Sequence, residues 1–193
     1  MGLVIPGVSW TLVEADDRIR TTKGYKGILE LKGASRGLFS DTSFARASLF
    51  LKGILPVSEG LRFLARTELG TSWVGEFSEL PSSQRFFAGG DRSVRGYKYK
   101  SIGPQDSTGE VVGGKHLAVA SLEMEYFLSR NWSAAVFVDS GSSFNEKPEG
   151  FETGAGVGIR WHTLIGPIRL DYARAVTMEG EPWRIHLILG PDL

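Results

Sequence analysis

The sequence contains no cysteine. Disulfide frameworks, thiolate metal sites and cysteine nucleophiles are therefore excluded. Nor does it carry an excess of one charge, since 22 Lys plus Arg offset 22 Asp plus Glu. A nucleic-acid module would show a basic surplus, so no nucleic-acid partner is expected. Long apolar runs are missing as well. None approaches the roughly 20 residues that a membrane-spanning helix needs, and no charged segment followed by an apolar stretch opens the chain. Proline is sparse at 8 residues against 25 glycines, and aromatic residues make up 11%, a mixture typical of twisted or closely approaching strands. With 193 residues and no evident linker, one domain spanning 1–193 is expected.

What is present is a period of two. Segments of about ten residues alternate apolar and polar positions and are separated by turn residues, about nine in all. In the last, Trp183, Ile185, Leu187 and Leu189 share one face while Arg184 and His186 share the other. Before it, Ile168, Leu170 and Tyr172 oppose Arg169 and Asp171, and Ala155, Val157, Ile159 and Trp161 oppose three glycines, Arg160 and His162. Two earlier segments behave alike. Leu61 to Leu69 set Arg62, Leu64, Arg66 and Glu68 against an apolar face, and Ala45 to Leu51 do the same with Arg46, Ser48, Phe50 and Lys52. Alternation alone fits a soluble sandwich with one wet face as well as a barrel. Two features favour the membrane. Trp10, Trp73, Tyr126, Trp132, Trp161 and Trp183 lie near strand ends, where a barrel places its aromatic girdles. Short connections (56–60, 129–131, 164–167) also alternate with long ones (35–41, 74–115, 140–152), which puts turns and loops at opposite ends.

The longest connection spans about forty residues, a length that signals function or disorder. Its content argues for order: Arg85-Phe86-Phe87-Ala88-Gly89-Gly90-Asp91-Arg92-Ser93-Val94-Arg95-Gly96-Tyr97, then Ile102-Gly103-Pro104. This stretch resembles the conserved loop of the outer-membrane assembly-barrel superfamily, the bacterial surface antigen family, whose hallmark is an Arg-Gly-aromatic tripeptide after a Gly-Gly turn. The likeness continues through Ala118 to Glu123, Phe137 to Gly141, Gly154 to Trp161, Gly166 to Asp171 and Leu189 to Leu193, so it covers nearly all of residues 85–193. The run Tyr97 to Pro104 and the Gly190-Pro191-Asp192-Leu193 terminus look closer to the translocation and assembly module branch than to the essential assembly barrel. Chains of the latter more typically end in an aromatic residue.

The resemblance implies an all-β antiparallel meander of about nine strands, the C-terminal portion of a sixteen-stranded transmembrane β-barrel in the outer membrane of a Gram-negative-type bacterium. It implies that the 74–115 loop folds into the lumen, where Arg95 of the Arg95-Gly96-Tyr97 tripeptide meets Glu123 and Asp139. Strand period independently puts both carboxylates on the inner face, and a confined guanidinium favours bidentate carboxylate partners. Gly96 would let the backbone approach the wall closely. Read without the family, Arg95 is a solvated loop charge. The last strand, Trp183, Ile185, Leu187 and Leu189 up to Gly190, would be one side of a lateral seam that opens for client strands, because Pro191 cannot extend the ladder. The plainer reading is that Gly190 ends a strand.

The implied activity is that of a non-enzymatic translocase or insertase assisting outer-membrane proteins such as autotransporters, without a cofactor. Its partners would be outer-membrane lipid or detergent, unfolded client proteins and a periplasm-spanning partner protein. About seven strands and the periplasmic domains would precede this chain, so its open edges could also drive self-association. A passive pore is the alternative. A dimeric aspartic protease using Asp139-Ser140-Gly141 as its turn ranks below it, because Asp41-Thr42-Ser43 is a poor second copy. His116, His162 and His186 are dispersed and read as lumen or surface residues, not as metal ligands. Gly154-Ala155-Gly156-Val157-Gly158 has no helix signal after it, so small lumen residues explain it better than a dinucleotide loop.

Overall fold

A computed structural model describes residues 3–37 and 40–193. Met1, Gly2 and part of the 35–41 connection lie outside the described residues. Among these residues nine antiparallel strands form one sheet in strict chain order: β1 (Gly7–Ala15), β2 (Gly24–Ala34), β3 (Phe44–Ser58), β4 (Leu61–Val74), β5 (His116–Phe127), β6 (Trp132–Phe144), β7 (Glu152–Thr163), β8 (Gly166–Ala175) and β9 (Trp183–Leu189). The expected meander is therefore found, four strands before the long loop and five after it. It is an open sheet and not a closed barrel, since β1 and β9 pair on one side only.

Alternation decides which face is which. Leu122, Met124, Val136, Val157, Leu170, Ile185 and Leu187 are all exposed on the convex side, while Glu123, Glu125, Asp139, Arg160, Asp171 and His186 are buried on the concave side. Exposing aliphatic side chains while burying charges inverts a soluble core, and it is the arrangement that hydrocarbon outside and a polar lumen inside require. No helix of the described residues is long and apolar enough to cross a membrane; the crossing elements are strands.

The connections sort as the sequence suggests, with shifted boundaries. Glu59 and Gly60 alone join β3 to β4, where a register shift at Pro56/Ser58 absorbs the proline near the strand end. Gly166 and Pro167 belong to β8, opposite Thr163 and His162, so that turn is shorter than expected. The 140–152 connection contracts to 145–151, because β6 runs on through Ser140 to Phe144. Most of the aromatic set sits near strand ends, with Trp132 stacked on Trp161 across β6 and β7 at 5.9 Å. Trp10 departs from it, lying in mid-strand opposite Leu29.

The sheet curls until its distant parts touch. In the turn between β1 and β2, Arg20 donates to the Arg130 carbonyl at 2.9 Å and to Asn131 Oδ1 at 2.8 Å. Arg62 of β4 donates to Glu125 at 2.8 Å, to Asp192 of the C-terminal tail at 2.9 Å and to the Thr21 carbonyl. Turn and tail thus floor the short-turn end of the lumen.

Introducing a charge on the convex face tests the orientation. Leu122→Arg, near the middle of β5, should cost roughly 2–4 kcal/mol in lipid vesicles, measured by denaturant titration. An unchanged midpoint would mean that this face does not meet hydrocarbon.

Candidate functional site

The loop between β4 and β5 (75–115) is ordered from within. Short bridges Phe86↔Gly114, Ala88↔Ile102 and Gln105↔Val111 fold it into a compact plug. Its apolar side chains Phe86, Ala88, Val94, Tyr97 and Ile102 pack on Leu117 and Val119 of β5 and Ala175 of β8. At roughly 25 cal/mol per Å² of apolar surface removed from water, such packing holds the loop only coarsely. Hydrogen bonds and ion pairs set its position.

Arg95 stands at the tip. Its Nε and Nη2 donate to the two Asp139 oxygens at 2.7 and 2.9 Å, in the bidentate fork that a guanidinium and a carboxylate share. Nη1 reaches Glu123 at 2.8 Å and Asp171 at 2.9 Å. The second oxygens of Glu123 and Asp171 are taken by Arg160. Two guanidiniums and two carboxylates therefore close a ring between β5, β7, β8 and the loop, with Asp139 clamped on one side. The Phe137 ring lies under the guanidinium, 3.4 Å from Cζ to centroid, adding a cation–π contact. The backbone is fixed too: the Arg95 amide donates to Asp139 at 3.1 Å and the Gly96 amide to His186 Nε2 at 2.9 Å.

Glycine makes this approach possible. Gly96 has φ +94°, and a Cβ there would lie 2.7 Å from the Arg174 carbonyl carbon, so only glycine combines that backbone with that contact. On the facing wall, a Cβ at Gly154 would fall 1.8 Å from the Arg95 carbonyl oxygen. Gly154 is the notch into which the loop fits, while Gly156 and Gly158 leave room for Phe137 and for Asp171 and Arg160.

Tyr97 completes the tripeptide. It donates to Glu152 at 2.6 Å and lies 2.8 Å from Thr177 Oγ1. Burial and the bond to Glu152 push its phenol up to about 12, which keeps it a donor at neutral pH. The sequence-derived trio Arg95, Glu123 and Asp139 is thus brought together. Arg160 and Asp171 were legible as inward-facing charges but not as members of the same network, because pairing between side chains on separate strands has no local signal. Nor did the sequence place Phe137 or His186 beside the tripeptide.

Other candidates separate from the plug. His162 bonds Glu125 at 3.0 Å and Ser133 at 2.8 Å, and His116 lies 3.0 Å from Thr71, so the three histidines sit in different surroundings. Asp139-Ser140-Gly141 is not a turn. It lies inside β6, paired with Ser121, Ala120 and Val119, and the Asp139 carboxylate is consumed by Arg95 and by Ser121 at 2.5 Å. On β9, Trp183, Ile185, Leu187 and Leu189 are exposed outward. Gly190, at φ +128°, follows the last paired residue.

A sheet greasy outside and ionic inside, with its own loop drawn into the hollow by an arginine, defines the class of outer-membrane β-barrels with a lumen plug. Residues 5–190 match the Omp85 superfamily domain, and the chain belongs to that family. It is 25% identical over 175 residues to the outer membrane protein assembly factor BamA of Nitratidesulfovibrio vulgaris, covering 86% of this chain and 22% of that protein. BamA of Neisseria meningitidis is 26% identical over 169 residues, with 82% and 21% covered. The chloroplastic outer envelope protein 39 of Arabidopsis thaliana is 30% identical over 132 residues, with 60% and 33% covered. The chain thus spans between a fifth and a third of these relatives. In fold it is similar to the crystal structure of BamA from Haemophilus ducreyi lacking POTRA domains 1-3, with a TM-score of 0.80, 22% identity, and coverage of 96% of this chain and 41% of that one. The outer-membrane location expected from the sequence is the one these bacterial relatives are named for.

Removing Arg95 leaves buried Asp139 without a cation and Arg160 alone with Glu123 and Asp171, a loss worth about 3–5 kcal/mol when one partner of a buried network is deleted. Arg95→Ala should accordingly expose the 75–115 loop to limited proteolysis in detergent. Gly154→Ala should do the same by displacing the Arg95 carbonyl. Protection equal to wild type in both variants would show that the plug is held by its apolar contacts alone.

Proposed function

We propose that this chain is the membrane-embedded part of an outer-membrane protein insertase or translocase, acting on unfolded outer-membrane proteins. The observation that carries the reading is a lumen filled by the chain itself: loop 75–115 and the β1–β2 turn occupy the hollow, held by Arg95 and Arg20. With the hollow occupied, β9 is the strand that would take a client by β-augmentation. Gly190-Pro191 limits its ladder, because proline offers no N–H. Trp183, Ile185, Leu187 and Leu189 would then form the lipid side of the seam strand. The names of the bacterial relatives, assembly factors for outer membrane proteins, support the same activity.

The finer assignment follows from the sequence. The run Tyr97 to Pro104 and the terminus Gly190 to Leu193 favour the translocation and assembly module branch, with autotransporters among the clients and a periplasm-spanning protein as partner. A passive pore fits less well, since the ion-paired plug and the floor built by Arg20 and Arg62 obstruct the path that ions would take.

Two measurements test the proposal. In planar bilayers the protein should conduct little, and Arg95→Ala should raise the conductance while impairing client assembly into vesicles. Because no native cysteine competes, a single Leu187→Cys variant should form disulfides with cysteines placed in a client's terminal strand. Steady wild-type conductance without such crosslinks would establish the pore instead.

A further inference from the structure

Charge is balanced over the whole chain but not within the lumen. In the sheet register Lys26 of β2 lies opposite Lys52 of β3, and Lys52 lies opposite Arg66 of β4. All three belong to the inward-facing set. Their row begins at Val13 on β1 and passes through Ser121 before reaching its first carboxylate, Asp139, which Arg95 already occupies. Like charges directly opposite each other across strands are destabilising, and here two such pairs adjoin.

These three residues and Arg92 line a cavity of about 330 Å³ between the inner faces of β2–β4 and the tail after β9. The side-chain carboxylates on the same cavity are spent elsewhere: Glu123 on Arg95 and Arg160, Asp192 on Arg62 and Arg169, Asp91 on His186. Among the described residues, no carboxylate lies within 4.0 Å of the charged groups of Lys26, Lys52, Arg66 or Arg92. Arg66 donates instead to backbone, to the Arg92 carbonyl and to the Ser93 carbonyl at 2.5 Å, which fixes its guanidinium without neutralising it.

We propose that this row is an oxyanion site that takes a phosphate group. Several separate cations around one cavity, each with more than one N–H donor, match a group with three or more oxygens and up to two charges. A carboxylate, with two oxygens and one charge, would compensate a single member of the row. Apolar side chains on the lining, among them Phe50, Leu64 and Ile188, suit a phosphate that carries a hydrocarbon portion as well as a free one. The site is independent of the insertase reading, and the plug contributes Arg92 to it.

The test uses the full chain in a maltoside detergent free of phosphate. One arm titrates it with inorganic pyrophosphate by calorimetry, and the other measures retention on vesicles of phosphatidylglycerol against vesicles of neutral glycolipid. The expected result is saturable binding in at least one arm, weakened about tenfold or more by K26M/K52M, since removing one charge-assisted hydrogen bond costs about that factor. The same change at Lys147, in the exposed loop after β6, should leave binding as it was. Binding in the first arm identifies a free phosphate as sufficient, and binding in the second alone identifies a lipid headgroup. Because removing like-charge repulsion should not unfold the sheet, the double variant's strand signature in circular dichroism should equal wild type. Equal binding by wild type and K26M/K52M in both arms would overturn the proposal, as would preferential binding of a glutamate-rich peptide.

Discussion

The structure depends on how one guanidinium is shared. Arg95 donates to three carboxylates borne by β5, β6 and β8, so a single loop residue ties those three strands together. Each of those carboxylates sits where water is scarce, and none could remain charged there without a partner. The loop needs the wall for its position, and the wall needs the loop for its charge. Arg160 converts this from a pair into a ring, which spreads the compensation over two cations. Such a network contributes less to net stability than its distances suggest, because desolvation offsets much of the attraction. What it sets strongly is geometry.

The lipid face imposes the complementary constraint. Outside, there is nothing for a backbone group to bond to, so the strands satisfy one another in a continuous ladder from β1 to β9. Inside, space is the limiting quantity, and the chain meets it with Gly154, Gly156 and Gly158 where larger side chains would collide with the Arg95 carbonyl, Phe137 and Asp171. The three glycines weaken a strand in isolation. In context they make room for the plug at Gly154 and for the side chains that hold it at Gly156 and Gly158.

Much of this was legible in the sequence, and for a definite reason. Strand period is a local property, so inward and outward sets could be read directly, including Glu123 and Asp139 as inward acids. The Arg95-Gly96-Tyr97 tripeptide stood out by its resemblance to a family motif. Long-range pairing left no such trace. That Asp171 rather than the solvent meets Arg95, or that Arg62 reaches the penultimate residue, follows from curvature, which accumulates over several strands and cannot be assigned to any one of them. Strand ends were also misplaced where turn-like residues, such as Gly166-Pro167 and Ser140-Gly141, are tolerated inside a ladder.

The tie between Arg62 and Asp192 bears on the order in which the molecule can come together. Every strand pairs with its neighbour in the chain, so hairpins can zip successively from either end with little loop-closure entropy to overcome. That floor contact joins positions 130 residues apart. It cannot form until β4 and the tail after β9 are both in place, so this contact locks the curvature only after the hairpins it joins have paired.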